Sequence, residues 1–439
     1  LTHAYDPLGY ATRFFYDEKH HLTSVQDPLG NKTSSTYYAD GLVNTATDAR
    51  GTTTAFAYDV YGNPRTAQTG GHPAVTSTYD SIGRLAAFTD QAGSTTTFTY
   101  DKRGLPTGRT DPLGRAVSLD YDGAGRLIAK RDRSGRVAAY TYTPTDKIET
   151  ITYQDGSRVR FTYDLLDNLV SMEDGTGTTH YSYDAAGRLI AVMDPRGFVI
   201  SYGYDEAGNI TEISYPGNKK ALYSYDAANR LAAVQWQDRT AQYTYDVTGR
   251  PVGLTHFNGS TTEYRYDRAG RLTTLNNYKP DSGDPNGRTI SRYAFTFDAG
   301  GNRAGVIQEE PYQTALSQED ISYTYDPRNN RLQAAGGDGF AYDDEGRLTN
   351  GYGATYAFDD EHRLTGIGND VQFIYDGRGN RIEAVRNGVV TRYIYDASGN
   401  LLAEADGENR ITRYYIYGRG LMAMTTTPDD RAYCYHYNA

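Results

Sequence analysis

The chain has 439 residues with 44 Lys and Arg against 55 Asp and Glu, a formal net charge of −11. This acidic balance argues against a protein that binds nucleic acid through its phosphates. The single cysteine excludes an internal disulfide, and no apolar run reaches the roughly 18 residues needed to cross a bilayer. Tyrosine (42) outnumbers phenylalanine (13) and tryptophan (1) together, and glycine (47) is frequent, so many turns are expected.

A repeat begins within the first residues, where an aromatic residue followed by a turn recurs every 20 or 21 residues. We follow it from Tyr5 to Tyr395, and expect the sequence to be a segment of a longer protein because it starts inside this pattern. The regular part includes the repeat tyrosines Tyr58, Tyr79, Tyr100, Tyr121, Tyr163, Tyr183, Tyr204, Tyr225, Tyr245 and Tyr266.

The position four residues after each aromatic is usually glycine, and otherwise Asn, Asp or His. These residue types tolerate positive φ best, so the position is predicted to need a left-handed backbone. Aspartate usually precedes it by three residues, as expected for a turn that closes a hairpin. The predicted left-handed positions include Gly62, Gly83, Gly104, Gly125, Gly187, Gly208, Asn229, Gly249, Gly270, Asn329, His362 and Gly399.

A second turn lies half a period later, as in Asp90-Gln91-Ala92-Gly93. Two turns in 21 residues leave two strands of about six residues, and segments such as Ser94–Tyr100 are β-branched and aromatic. We therefore predict an all-β fold, a single continuous antiparallel β-hairpin ribbon of roughly forty strands, about 190 Å long. A ribbon of this length must curl, and it then encloses a hollow unless it flattens into a sandwich.

The period divides the chain into three parts: regular repeats over 1–275, repeats with long insertions over 276–324, and shorter repeats over 325–439. The insertion at 277–290 is polar and rich in turn residues, so a dispensable loop at a hairpin tip is the favoured interpretation, with a partner-contact or cavity-plugging loop as the alternative. Leu or Ile commonly follows the left-handed residue by two positions, as at Leu189, Leu272 and Leu364. These residues are expected to pack beside rows of stacked tyrosines.

The motif Tyr-Asp-x-x-Gly-Arg-Leu, present at Tyr183–Leu189 and Tyr266–Leu272, resembles the YD repeat of Rhs and teneurin-like proteins. The resemblance covers essentially the whole chain. It implies a spiralling β-shell, which in this family encloses a toxic C-terminal domain in bacterial polymorphic toxins and in the B and C components of Tc toxins, or forms the adhesive scaffold of teneurins. Residues 390–418 resemble the repeats that lead into the Rhs-associated core, and we expect that core, with its self-cleavage site, to lie outside this sequence.

The residues that could carry chemistry form no recognisable site. The eight histidines lack zinc-ligand spacing, and His20 and His362 are accounted for as turn residues. Cys434 lies two residues from His436, but packing is the favoured interpretation of this pair over a nucleophile and base. Asn31, Asn209 and Asn258 match the N-glycosylation pattern. No catalytic residue, metal site or cofactor is predicted.

The leading functional expectation is a non-enzymatic shell segment of a bacterial Rhs-type protein that encapsulates a polypeptide cargo, secreted or at the cell surface. Its partners would be the enclosed polypeptide or an adjoining Rhs core or toxin domain, with edge-to-edge self-association as a further possibility and neither nucleic acid nor a membrane span. The alternative is an extracellular scaffold whose tyrosines recognise carbohydrate or a protein receptor.

Overall fold

The computed structural model describes residues 1–281, 284–310, 320–326 and 330–437. These residues form β-strands and tight turns, and no α-helix occurs among them, in agreement with the all-β prediction. None of the described residues therefore lies in a helix that could cross a membrane.

The first 29 strands belong to one antiparallel sheet. Strands β1 to β15 are His3–Tyr5, Ala11–Tyr16, Leu22–Gln26, Lys32–Tyr37, Val43–Thr47, Thr53–Tyr58, Pro64–Thr69, Val75–Tyr79, Leu85–Thr89, Thr95–Tyr100, Pro106–Thr110, Ala116–Tyr121, Leu127–Arg131, Val137–Tyr142 and Ile148–Tyr153. Strands β16 to β29 are Arg158–Tyr163, Leu169–Asp174, Gly177–Tyr183, Leu189–Met193, Val199–Tyr204, Ile210–Tyr215, Lys219–Tyr225, Leu231–Trp236, Arg239–Tyr245, Pro251–Thr255, Thr261–Tyr266, Leu272–Asp281, Asp284–Phe297 and Arg303–Glu309.

The remaining strands form a three-stranded and an eleven-stranded sheet. Strands β30 to β32 are Tyr323–Tyr325, Leu332–Ala335 and Asp338–Gly339. Strands β33 to β43 are Ala341–Tyr342, Leu348–Gly351, Ala354–Phe358, Leu364–Ile367, Val371–Tyr375, Arg381–Arg386, Val389–Tyr395, Leu401–Asp406, Ile411–Tyr417, Leu421–Thr426 and Ala432–Cys434.

Hairpins between chain neighbours build these sheets, and their register repeats with the sequence. Tyr79 pairs with Leu85, Tyr183 with Leu189 and Tyr395 with Leu401, each beside a register shift that marks a bulge. The bulge arises because the turn between the two strands contains one residue in the left-handed conformation. The leucines predicted to pack beside tyrosines do so at Leu189, Leu272 and Leu364.

The chain divides into two compact units. Unit 1 comprises Leu1–Gly114, Ala241–Gln313 and His436–Ala439, and unit 2 comprises Arg115–Thr240 and Thr314–Tyr435. Unit 1 has a buried cluster of Leu275, Tyr293 and Phe295. Unit 2 has two clusters, one around Met172 and one around Phe373.

Burial is distributed unevenly along the ribbon. Between residues 1 and 158 only Ser24 and Asp132 are buried, and every hydrophobic side chain keeps some exposure. The first buried hydrophobic residue is Val159. The early repeats are therefore a single layer of strands with amphipathic faces, whereas later repeats have an opposing layer of side chains to pack against.

Two expectations about chain organisation are wrong. The segment at 277–290 is not a loop, because β27 and β28 continue as paired strands to Asp281 and from Asp284. Asn277, at the start of this segment, has no exposed surface, and its side chain bonds those of Thr262 and Ser291. The dispensability of residues 277–290 stays a prediction. The second wrong expectation is that Tyr5 begins the same row of repeat turns as the later tyrosines. Tyr5 precedes the β1–β2 turn, so it lies at the edge of the sheet opposite to Tyr16, which precedes the β2–β3 turn.

Candidate functional site: the repeat turns and the seam of unit 2

The repeat turn, which follows each repeat tyrosine, is closed by its aspartate. At Asp80, the backbone amide donates to the Arg84 carbonyl at 2.9 Å, and the Gly83 amide donates to the Asp80 carbonyl at 3.0 Å. The carboxylate oxygen Oδ1 of Asp80 accepts the amides of Ile82 and Arg84 at 3.0 and 2.9 Å. One side chain thus satisfies two amides that the tight turn leaves without backbone partners.

The predicted left-handed positions have φ values between 61° and 93° wherever the structure describes them, at Gly62, Gly83, Gly104, Gly125, Gly187, Gly208, Asn229, Gly249, Gly270, His362 and Gly399. Asn329 lies outside the described residues. In that turn the neighbouring Asn330 has φ of 57°, and its amide donates to the Asp326 carbonyl at 2.7 Å. The importance of these positions for folding stays a prediction.

The arginine after the left-handed residue joins consecutive repeats. Arg84 Nε donates to Asp80 Oδ2 at 2.6 Å within its own turn, and Nη1 donates to the Asp101 carbonyl of the next repeat turn at 2.9 Å. Its guanidinium lies over the Tyr100 ring, 4.7 Å from the centroid. The same stacking occurs for Arg126 on Tyr142, Arg188 on Tyr204, Arg250 on Tyr266, Arg271 on Phe297, Arg347 on Phe358 and Arg363 on Tyr375.

This stacking revises the expected tyrosine ladder. Where the arginine is present, the row alternates aromatic rings with guanidinium groups, and cation–π attraction stabilises the contact. His21 takes the arginine position in the repeat after Tyr16 and stacks on Tyr37 with ring centroids 4.7 Å apart.

Asparagine replaces the arginine in other repeats and bonds the aspartate of its own turn. Asn63 Nδ2 donates to Asp59 Oδ2 at 2.9 Å, and Asn209 Nδ2 donates to Asp205 Oδ2 at the same distance. Asn209 Nδ2 also donates to Asn229 Oδ1 of the next repeat turn at 2.6 Å. Asn31 is bound to Asp27 in the same way at the opposite edge. The amide nitrogens of Asn31 and Asn209, two of the glycosylation-pattern residues, are thus already used in turns.

The repeat tyrosine itself forms a bond across repeats that the sequence did not predict. Its hydroxyl donates to a backbone carbonyl 15 residues earlier, for example from Tyr100 to Leu85 at 2.9 Å and from Tyr204 to Leu189 at 2.6 Å. Equivalent bonds of 14 or 15 residues are formed by Tyr58, Tyr79, Tyr142, Tyr163, Tyr183, Tyr225, Tyr266 and Tyr395. Tyr121 and Tyr245 occupy the same register position, opposite Leu127 and Pro251.

These bonds also explain the electrostatics of the turns. The Arg84 backbone amide, and then its guanidinium, hold the pKa of Asp80 below its usual value despite some desolvation. The pKa of Asp246 falls to about 2, because bonds from Thr248 and Arg250 outweigh desolvation, the largest single influence on it. The repeat aspartates therefore act as charged acceptors that fix the turns.

In unit 2 the repeat turns also make long-range contacts, which we call the seam: the contacts between residues 115–240 and residues 330–435. The residues hydrogen-bonded across it lie between 187 and 229 positions apart in the sequence, for example 203 for Asp174 and Gly377 and 195 for Tyr202 and Ala397. The turns of the later segment lie against the strand ends of the earlier one. The seam thus joins two rows of hairpins that are far apart in sequence.

The first end of the seam is charged. The backbone amide of Arg133 donates to Glu345 Oε1 at 2.5 Å, and Arg136 Nη1 lies 3.0 Å from Asp360 Oδ1. The Tyr153 hydroxyl donates to Glu361, and burial together with this bond raises the pKa of Tyr153. Arg136, Tyr153, Asp360 and Glu361 line a polar cavity of about 230 Å³.

The middle of the seam is close-packed. The Gly377 amide donates to Asp174 Oδ2 at 2.6 Å, and a Cβ at Gly377 would lie 2.5 Å from Val159 Cγ1 and 3.1 Å from Met172 Sδ. The Ala397 amide donates to the Tyr202 hydroxyl at 3.0 Å. Glycine is needed at position 377 because the seam leaves no room for a side chain.

The far end of the seam is aromatic. Trp236, 1% exposed, lies against Tyr215 and Tyr414 with ring centroids 5.0 and 5.5 Å away. The Tyr215 hydroxyl donates to the Tyr415 carbonyl at 3.1 Å, and the Tyr414 hydroxyl donates to the Pro216 carbonyl at 3.0 Å. Arg239 continues this end with a bond to the Asp430 carbonyl.

The structure brings the residues singled out for chemistry into no catalytic arrangement. In the described part of the chain, no group of three or more His, Cys, Asp or Glu side chains is placed to hold a metal ion. His20 and His362 are left-handed turn residues, and Cys434 pairs with Ala423 in β43. His436 instead contacts Ser260, a contact that the sequence pattern did not indicate.

Comparison with known proteins agrees with this repeat geometry. The Teneurin YD-shell model matches residues 116–258, and the RHS Repeat model matches residues 1–32, 79–116 and 245–277. The chain belongs to the YD-repeat, or Rhs-repeat, family. The resemblance inferred from the Tyr-Asp-x-x-Gly-Arg-Leu motif is therefore confirmed.

Two curated relatives of this YD-repeat chain come from Bacillus. The tRNA3(Ser)-specific nuclease WapA of Bacillus spizizenii and the tRNA nuclease WapA of Bacillus subtilis are each 31% identical over 154 residues. The match covers 33% of this chain and 6% of each relative, so the chain corresponds to only a small part of those proteins.

The fold resembles solved Tc toxin structures. A crystal structure of TcdB2-TccC3 aligns with a TM-score of 0.56 and 15% identity, over 93% of this chain and 31% of that one. A Tc holotoxin pore structure from Photorhabdus luminescens has the same TM-score and identity, over 94% of this chain and 27% of that one. The YD-repeat ribbon of this chain thus has the fold of these toxin components.

Proposed function

We propose that this YD-repeat chain is a non-enzymatic wall segment of a secreted or cell-surface bacterial protein, and that the wall encloses a polypeptide cargo. The observation that carries the proposal is the seam, because it joins rows of hairpins about 200 residues apart into a continuous wall. A wall closed by hydrogen bonds and packed side chains keeps proteases away from whatever lies behind it.

The single-layer construction supports a wall rather than a compact binding domain. The early repeats have no buried hydrophobic core, and their stability comes from turns, strand pairing and arginine–aromatic contacts. Such a sheet leaves both faces free of other protein layers, and one of them is available to face a cargo.

The comparisons support the cargo assignment indirectly. The tRNA nucleases named WapA match this chain over a small fraction of their length, which fits repeats that accompany a toxin whose chemistry resides elsewhere. The TcdB2-TccC3 fold resemblance points to the same toxin context. We therefore assign the partner as the enclosed polypeptide or an adjoining Rhs core or toxin domain.

Protease protection of a fused polypeptide tests the proposal. An unstructured reporter joined after Ala439 should survive at least about tenfold longer than the free reporter under the same protease. A fusion in which the repeat chain stays intact while the reporter is digested as fast as when free would contradict enclosure. The variant Gly377→Ala should reduce the protection, and Gly123→Ala, at the same turn position with open space around its Cβ, serves as the control.

A second candidate is recognition of a receptor or carbohydrate. Neighbouring repeat turns expose Val60, Tyr61 and Ile82 by 92%, 85% and 71%, which gives the edge of unit 1 a row of apolar tips. Binding to a glycan array with a dissociation constant tighter than millimolar, lost in Tyr61→Ser, would favour this function over enclosure.

A further inference from the structure

A buried polar cluster in unit 1 contains two histidines from distant parts of the chain. His256 lies in the β25–β26 turn and is 4% exposed, and its ring centroid is 4.5 Å from that of His436, which follows β43. Ser260, Thr262 and Asn277 surround the two rings, and none of them is more than 4% exposed.

The hydrogen bonds fix the protonation of His256. The Thr262 hydroxyl donates to Asn277 Oδ1 at 2.6 Å, so its oxygen accepts from His256 Nε2 at 2.8 Å. His256 Nδ1 is then a bare lone pair, and it is buried without a partner. A proton added to His256 must go to this atom, where no acceptor is present, and its charge would be desolvated.

The same cluster holds the chain segment at 436–437. His436 Nε2 lies 3.1 Å from Ser260 Oγ, and His436 Nδ1 lies 3.4 Å from Asn277 Oδ1. Asn277 Nδ2 donates to the Tyr437 carbonyl at 3.5 Å and to Ser291 Oγ at 2.9 Å. The His436 ring and the Tyr437 carbonyl thus both attach this segment to the β25–β28 hairpins.

The charged groups around the cluster do not favour protonation. The cluster face of β26, β27 and β28 presents the neutral Thr262, Asn277 and Ser291, followed by Tyr264, Leu275 and Tyr293. Two nearby carboxylates are used elsewhere: Glu310, which follows β29, accepts from the Tyr293 hydroxyl, and Glu263 in β26 accepts from the Tyr278 hydroxyl. Within the described residues, neither imidazole forms an ion pair.

We propose that His256 and His436 form a proton-sensitive latch, which fastens the segment at 436–437 to the hairpins of β25–β28 at neutral pH and releases it in acid. Two imidazolium rings at this distance would repel each other inside a neutral, buried cluster. The latch is independent of the proposed enclosure, although it would give an enclosing wall a way to open on acidification.

The direction of the pH dependence follows from the environment. Burial, and then the charge of His436, lower the pKa of His256 to about 4, and burial lowers the pKa of His436. A lowered pKa in the attached state means that attachment is fully stable above the ordinary histidine pKa of 6.5 and weakens as pH falls toward 4. Full release of His256 from pKa 4 to 6.5 would weaken attachment up to about 30-fold at pH 5.

Hydrogen exchange of the full chain tests the latch. The amides of His436 and Tyr437 should lose protection by up to about 30-fold between pH 7.5 and pH 5, after correction for the intrinsic exchange rate. The double variant His256→Gln with His436→Gln should remove this pH dependence, and His72→Gln, an exposed histidine in unit 1, should behave as the wild type. A wild-type change of less than twofold, or an unchanged pH dependence in the double variant, would overturn the proposal.

Histidine NMR of the wild type covers the case in which the double variant does not fold. With ¹³C-labelled histidine, the imidazoles of His256 and His436, assigned by the single glutamine variants, should titrate below pH 6.5 and show a ring-to-ring contact that disappears in acid. Titration of His256 at or above pH 6.5 would overturn the proposal whatever the variants do. Neither result depends on whether a fused reporter is protected.

Discussion

The two ends of the seam in unit 2 join the same two rows of hairpins through different kinds of contact. At the charged end, Arg136 meets Asp360 with side chains 34% and 18% exposed, and Tyr153 meets Glu361 beside a polar cavity. At the aromatic end, Trp236 is enclosed by Tyr215 and Tyr414. Partly exposed ion pairs contribute little to stability, whereas a buried indole contributes several kcal/mol.

The comparison indicates that the aromatic end contributes most of the stability of the seam and that the charged end contributes little. The repeats on both sides have the same turns and the same tyrosine–carbonyl bonds, so the difference lies in the seam residues alone. The four predictions below test this difference, from the largest expected effect to the smallest.

The change Trp236→Ala should remove about 3–5 kcal/mol from the free energy of unfolding of unit 2, because it leaves a large cavity between two aromatic rings. Chemical denaturation followed by circular dichroism measures the loss. Trp236→Phe, which keeps an aromatic ring at the site, should lose clearly less. Equal losses for the two variants would show that the ring packing does not hold this end.

The change Gly377→Ala should cost about 1–3 kcal/mol, since its Cβ has to displace Val159 and Met172 in the middle of the seam. Gly123→Ala introduces the same methyl group at the equivalent turn position, where nothing lies within 4 Å, and should be nearly neutral. Thermal unfolding of both variants provides the measurement. A similar shift of the melting temperature in both would mean that the seam is not close-packed in solution.

The changes Tyr142→Phe and Tyr395→Phe should each cost about 1 kcal/mol, because each removes one hydroxyl-to-carbonyl bond within the repeat ribbon. The first lies near the charged end and the second near Leu401 in the later row. Burial raises the pKa of Tyr395 to about 12, so its hydroxyl stays protonated at neutral pH. Markedly unequal costs in denaturant titrations would show that the repeat bond is not independent of the seam.

The change Glu361→Gln should cost at most about 1 kcal/mol at low salt, and less as ionic strength rises. Because the pKa of Tyr153 is raised above its usual value of 10, the bond to Glu361 is intact below pH 10 and is lost as pH rises further. Tyrosinate absorbance, compared between wild type and Glu361→Gln, follows this step. Identical alkaline titrations of the two proteins would contradict a bond between Tyr153 and Glu361.

Local rules allowed much of the ribbon to be predicted. A turn with Asp at its head and a left-handed residue three positions later depends only on near neighbours, so the hairpins at Asp80 and Asp184 could be read from the sequence. The 15-residue spacing between Tyr100 and Leu85 was also available, but its meaning required the register between strands.

Contacts that join distant segments could not be predicted in this way. Nothing near Gly377 in the sequence indicates that Val159 and Met172 lie beside it, because that proximity depends on how the whole ribbon is arranged in unit 2. The same holds for His256 and His436, which are 180 positions apart and looked like scattered histidines. The polar composition of residues 277–290 was misleading, because Asn277 is polar in order to satisfy a buried network and not to face water.

The specific pairing of turns across the seam makes repeat number a constraint in itself. Each turn of the later row that contacts the earlier row does so at one particular position. Deleting or duplicating a single unit of about 21 residues between Asp174 and Gly377 would shift every later pairing by one position, and Gly377 would no longer face Val159. Variants of this protein should therefore gain or lose repeats outside that interval, or in compensating pairs.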